Sequence, residues 1–319
     1  MKKRILAVAM SIMVTMMVIT GCGSKESKDS KEPTSTPEAV KLDTNVTAED
    51  LLSSENMKSF SEIKELKDFK GVCKLDINVD VDVVSEEETA PIKANLSCTF
   101  AHDGKVLHTI TEADADAMGQ KTNEKIEMWY DDESKVQYMQ QGENWVKYSD
   151  EDFESVISEF TGFDSMSSEF DIDEMLKEFK LELDETNGVY ILKYEASIKD
   201  LINKVPEGTL DEAVPEMDVT ALIESLNIPE DFKVKFNIIF NADKTLKGME
   251  VSLSETEIDL SALAGATAKI KVNKADIKVA YSEVEALTVP EDVIKNASDP
   301  WEDGNLDIEF DYNTSDEMN

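Results

Sequence analysis

The sequence predicts an α+β fold: a long, curved antiparallel β-sheet, left open as an unclosed half-barrel, with short helices packed on its concave face. Two patterns predict it. Apolar residues recur at every second position through many runs, the period of a strand with one face in a core and the other in water. Between those runs lie short segments with apolar residues at i, i+3, i+4 and i+7, the stripe of a helix with a single buried face. Such helices must lie on something, and the apolar strand faces are the surfaces large enough to take them.

In chain order, the first element is an export leader. Lys2, Lys3 and Arg4, an uncharged run over 5–20 and small residues before Cys22 form the three zones of a secretory signal. The run is short for a permanent span, which needs ~20 apolar residues. Ile19-Thr20-Gly21-Cys22 resembles the lipobox of bacterial lipoproteins, with Thr20 where Ala or Ser is more usual. The resemblance implies removal of residues 1–21 as a signal peptide and a diacylglyceryl thioether on the Cys22 sulfur. Two or three acyl chains anchor stably where one does not, since each buried methylene contributes ~0.8 kcal/mol. The expected location is therefore extracytoplasmic, lipid-anchored at the outer face of the cytoplasmic membrane of a Gram-positive host. Residues 22–46, dominated by Ser, Lys, Glu, Thr and Pro, read as a flexible tether.

The folded domain is expected over 47–298. Thr47 and Asp50 form a capping-box pair ahead of Leu51, Leu52, Met57, Phe60 and Ile63, which predicts an opening helix. From Gly71 the period becomes two. Cys73, Leu75, Ile77, Val79, Val81 and Val83 alternate with polar residues, and Ile92, Ala94, Leu96, Cys98 and Phe100 repeat the pattern. Asp103-Gly104 reads as a tight turn. Shorter runs follow at Ile126 to Tyr130, Val136 to Tyr138, Trp145 to Tyr148, Leu181 to Leu183, Tyr190 to Tyr194, Val234 to Phe240 and Met249 to Leu253. A last pair of runs, Ala268 to Val272 and Ala275 to Tyr281, changes phase between them, which predicts a β-bulge. Turns are expected at Glu185 to Gly188 and Asn241 to Asp243. The helical stripes are Phe153 to Phe160, Ile172 to Phe179, Ile198 to Val205 and Val219 to Leu226. The acidic stretch 299–319 is expected to be a solvated tail, with an added edge strand through Leu306, Ile308, Phe310 and Tyr312 as the alternative.

Of three cysteines, Cys22 carries the lipid. Cys73 and Cys98 lie on the apolar side of neighbouring strands and could face each other, so a disulfide and a pair of buried free thiols both stand open.

At this point the chain resembles the LolA/LppX/LprG-like group of lipoprotein and lipid-carrier domains. Three features carry the likeness: an amphipathic helix leading into long alternating strands, an aromatic hairpin (Lys135-Val136-Gln137-Tyr138 and Asn144-Trp145-Val146-Lys147-Tyr148), and a closing Val289-Pro290-Glu291-Asp292-Val293. The resemblance spans roughly Ala48 to Ala297. It implies an unclosed barrel whose helices lid an apolar cavity, and binding of acyl chains or lipidated molecules.

The formal charge of −37 argues against nucleic acid and against electrostatic adhesion to anionic lipid. His102 and His108, the two histidines, belong to no metalloprotease motif. There is no G-x-S-x-G, Walker loop or G-x-G-x-x-G, so no catalytic residue, metal or cofactor is expected. Asp76, Asp80 and Asp82 lie along a wet strand face and lack the glycine of an EF-hand loop. Trp129, Tyr130, Tyr138, Trp145 and Tyr148 are either core residues or the rim of a cavity. Two readings follow. The first is a non-enzymatic carrier or receptor for a lipid or apolar small molecule, lined by Leu75, Ile77, Leu96, Phe100, Met128, Phe236, Ile238 and Val251. The alternative is a surface interaction or scaffold protein with a filled core and a protein partner of unknown identity.

Overall fold

The structure, a computed structural model, describes residues 42–53, 69–86, 88–149, 178–202, 228–261 and 267–299. The leader, Cys22, the tether up to 41, most of the helical stripes and the tail beyond 299 lie outside the described residues.

Among the described residues thirteen strands form one sheet. The first meander comprises β1 (Gly71–Ser85), β2 (Thr89–His102), β3 (Val106–Ala117), β4 (Gln120–Asp131), β5 (Val136–Gln141) and β6 (Asn144–Ser149). The second comprises β7 (Lys180–Asp184), β8 (Val189–Ser197), β9 (Lys233–Asn241), β10 (Leu246–Leu253), β11 (Thr256–Asp259) and β12 (Ala268–Ser282), followed by a two-residue β13 (Ala297–Ser298). The two meanders join where β12 pairs with β1, so the order is β13-β6-β5-β4-β3-β2-β1-β12-β10-β9-β8-β7, with β11 also on β12. Neighbours are antiparallel except β13, which lies parallel to β6. The path is open at β13 and β7, as expected for an unclosed sheet.

The expected turns are present. Asp103 Oδ1 accepts from the amides of Lys105 and Val106, each at 2.8 Å, and closes the β2–β3 turn. Asp184 Oδ1 accepts from Thr186 and Asn187 at 3.1 Å in the β7–β8 turn. The phase change in β12 is a register shift opposite Asp80/Val81: Val81 pairs with Val272 and Asp80 with Lys274, leaving Asn273 as the extra residue. Because of it, both halves of β12 keep their apolar side chains on the same face as Ile77 and Val81.

Cross-strand pairing puts the alternating apolar positions of the long central strands on one side, the inner face. Three packed clusters occupy it. One gathers Val81, Val234, Ile270 and Phe232 with Ile198 and Leu201 of helix α2 (Ile198–Ile202). A second gathers Tyr190, Leu192 and Phe240 with Leu51 of helix α1 (Ala48–Leu52). The third is Phe69, Phe100, Leu107, Met128 and Tyr130. Each fully buried side chain of this kind stabilises the fold by ~1.5–3 kcal/mol. Helix α3 (Glu291–Asn296) lies instead on the outer face, where Val289 and Val293 cover Trp129 and Tyr138.

The capping box of α1 is formed: Thr47 Oγ1 accepts from the Asp50 amide at 3.2 Å and the Thr47 amide donates to Asp50 Oδ2 at 2.8 Å. The packed part begins ahead of it, at Leu42, where a tether running to residue 46 was expected. Leu42 and Val46 are buried against Tyr190, whose hydroxyl accepts from the Asp43 amide at 2.9 Å.

Candidate ligand-binding site

Across β1 to β4 the inner face changes character. Two transverse rows cross these strands, Val79–Ala94–Ala115–Thr122 and Ile77–Leu96–Ala113–Glu124. Alanine at three central positions leaves the face without bulk between the larger residues of β1 and the rim at β4. The result is an open hollow of about 260 Å³, walled by Ile77, Val79 and Leu96 and floored by the alanines, with Asn95 and Asp114, outer-face residues by register, also bordering it. Thr122 and Glu124 form its far side.

The eight lining residues expected from the sequence all lie on the inner face, but the hollow gathers two of them, Ile77 and Leu96. Leu75 stands one row away, opposite Cys98. Phe100 and Met128 are closed inside the cluster around Phe69, and Met128 has no exposed surface. Val251 and Phe236 pack in the cluster around Phe232, and Ile238 packs with Leu192 and Phe240. These five are taken up by core packing. Sequence reading missed Ala113, Ala115, Thr122 and Glu124. The period-two run Ala113-x-Ala115-x-Ala117 was the available signal.

The aromatic residues are not at this rim. Trp129 and Tyr138 lie on the outer face beneath α3, with Trp145 against them, and Tyr130 is fully buried inside. His108 stacks on Trp129, with ring centroids 3.7 Å apart and planes at 11°. Its Nε2 lies 3.0 Å from Glu127 Oε1, which also accepts from the Trp129 indole at 3.3 Å. Burial pushes the His108 imidazole below its ordinary pKa and Glu127 offsets part of that, so the group is a neutral donor near pH 7. His102 Nδ1 lies 2.8 Å from the Phe69 carbonyl; a carbonyl only accepts, so Nδ1 carries the proton.

Cys73 pairs with Phe100 and Leu75 with Cys98, so the two cysteines are diagonal neighbours. Diagonal positions in a sheet are ~7–8 Å apart, beyond the Cα separation that a disulfide ordinarily spans. Both are free thiols, and burial pushes the Cys98 thiol up.

The outer face carries the charge. Lys93 Nζ lies 2.7 Å from Asp80 Oδ2. The Lys93 hydrogen bond holds the Asp80 carboxyl below its usual range, and Asn273 Nδ2, 3.3 Å from Asp80 Oδ1, assists. Asn273 also donates to Asp82 at 2.9 Å, so the bulged residue ties two of the acidic side chains of β1 together. Among the described residues no group of three or more His, Cys, Asp or Glu could hold a metal ion. No helix among them is long and apolar enough to cross a membrane.

A family model described as "Family of unknown function (DUF6612)" matches residues 47–298. The chain belongs to this family. No curated protein sequence matches this DUF6612 chain. Among solved structures, LprF from Mycobacterium bovis matches at 9% identity, over 76% of this chain and 95% of that one, with a TM-score of 0.32. A beta-barrel-like protein of domain of unknown function DUF1849 from Brucella abortus matches at 9% identity, over 67% and 99%, with a TM-score of 0.21. Both likenesses are remote, and the DUF6612 fold of this chain is defined by its own strand pairing.

Proposed function

We propose that this protein is a membrane-anchored extracytoplasmic lipoprotein that binds a lipid or other apolar ligand and catalyses no reaction. The observation that carries the reading is the hollow of about 260 Å³ between Ile77, Val79, Leu96 and the alanines of β2 and β3. An apolar chain laid there gains ~25 cal/mol for each Å² it removes from water, with no covalent step required. The lipobox at Cys22 supplies the anchor and residues beyond it the tether, and short helices on the concave side of the sheet remain part of this reading.

The test uses the chain with Cys22→Ala, which cannot be acylated. Native mass spectrometry is expected to show retained lipid, and an uncharged apolar dye is expected to gain fluorescence on addition. A clean apo mass together with no dye uptake overturns the reading.

A further inference from the structure

The inner face carries, among the described strands β1 to β12, one formally charged side chain, Glu124, apart from the proton-donating imidazole of His102. Every other Asp, Glu and Lys of those strands that has a cross-strand partner falls on the outer face by register. Glu124 stands at the far end of the row Ile77–Leu96–Ala113–Glu124, on the rim of the hollow. The lysines on either side of it, Lys121 and Lys125, project to the opposite face. There Lys121 lies 3.8 Å from Asp116, and Lys125 lies 3.6 Å from Glu127. Among the described residues Glu124 has no ion-pair or hydrogen-bond partner.

We propose that the hollow takes a single-chain amphiphile with a cationic head group, its chain against Ile77, Val79 and Leu96 and its head against the Glu124 carboxylate. The inference rests on the apolar-ligand reading above and names the ligand class for that same site. Size limits the chains: about 260 Å³ lies just below the range of drug-sized ligand sites, ~300–1,000 Å³, so one alkyl chain fits where a multi-chain lipid does not. Geometry separates chain from head. Ile77 on β1 and Glu124 on β4 are three strand spacings apart, ~14 Å, enough for the chain to lie across the alanines before the head reaches the carboxylate. Charge selects the head: an ammonium complements Glu124, whereas a fatty acid or phospholipid phosphate would meet a like charge on a chain already at −37.

The experiment is calorimetric titration of the Cys22→Ala chain with dodecyltrimethylammonium, an uncharged dodecyl glycoside and dodecyl sulfate, all below their micelle concentrations. The ammonium is expected to bind about five-fold more tightly than the glycoside, the ratio that an ion pair of ~1 kcal/mol supplies, and the sulfate more weakly than either. Glu124→Gln should bring the ammonium and the glycoside to equal affinity. Asp116→Asn, which removes the same charge from the outer face, should keep the preference. Equal binding of ammonium and glycoside to the parent chain, or a preference that survives Glu124→Gln, overturns the head-group assignment and leaves the apolar site standing. Binding of none of the three overturns both.

Discussion

At Gly248 the backbone of β10 runs so close to β12 that an added Cβ would stand 2.1 Å from the Val279 carbonyl oxygen. The residue sits where the β9–β10 register slips between Leu246 and Gly248, and a glycine within a strand commonly marks such an approach. Backbone cannot yield there as a flexible side chain would. Gly248→Ala is therefore expected to cost about 3 kcal/mol, the upper range for forcing extra atoms into packed structure, read as a lower urea midpoint. Gly119 provides the contrast. It lies in the two-residue β3–β4 turn at φ +84, with nothing within 4 Å of a Cβ. Gly119→Ala meets only the left-handed backbone penalty, ~1 kcal/mol. Equal losses for the two variants would show that β10 and β12 are not tightly apposed at this point.

The bulge in β12 is the element on which the single-sided sheet turns. Without Asn273, a slip of one residue would send either Ala268, Ile270 and Val272 or Ala275, Ile277 and Val279 to the wet face. Deleting Asn273 is thus expected to abolish the cooperative thermal transition. Asn273→Ala keeps the extra residue, loses only the hydrogen bonds to Asp80 and Asp82, and should cost ~1 kcal/mol. A deletion variant that melts like the substitution would mean the bulge has no such role. This element was legible because the side-chain period of a strand is two, so one extra residue shows as a phase change in the sequence itself. The long central strands were legible for the same reason, their apolar positions being filled by Val, Ile and Leu. The second half of β3 and the first half of β4 were not. Ala113, Ala115 and Ala117 alternate as faithfully, but alanine is weak both as an apolar signal and as a strand former, and Thr122 and Glu124 give the first half of β4 no apolar run. The candidate site lies where that signal fades, so sequence reading named the bulky neighbours that fill the core and passed over the small residues that leave space. Leu42 and Val46 escaped notice because isolated apolar residues in a polar stretch show no period.

At the scale of the molecule, two opposed electrostatic effects follow from the charge of −37. Cross-strand pairs on the outer face, such as Lys233–Glu195 and Lys269–Glu257 at 2.6 Å, draw strands together. The surplus acid repels itself and favours any more expanded state. Screening decides between them by distance. The pairs are in contact and largely exposed, so each contributes ~0–1 kcal/mol and little of that depends on ions beyond the first few ångströms. The repulsion sums over separations comparable with or longer than the Debye length, which falls from ~30 Å at 0.01 M to ~3 Å at 1 M salt. Repulsion therefore loses more than attraction as salt is added, and the urea midpoint should rise between about 0.01 M and about 1 M NaCl. Sodium chloride suits the measurement because sulfate or phosphate would also strengthen apolar burial. Potassium chloride should give the same curve, since the effect is one of ionic strength. A midpoint that falls with salt would place the stability of the sheet in its outer ion pairs, and a rise seen with one cation alone would point to specific binding rather than to relief of the chain's own charge.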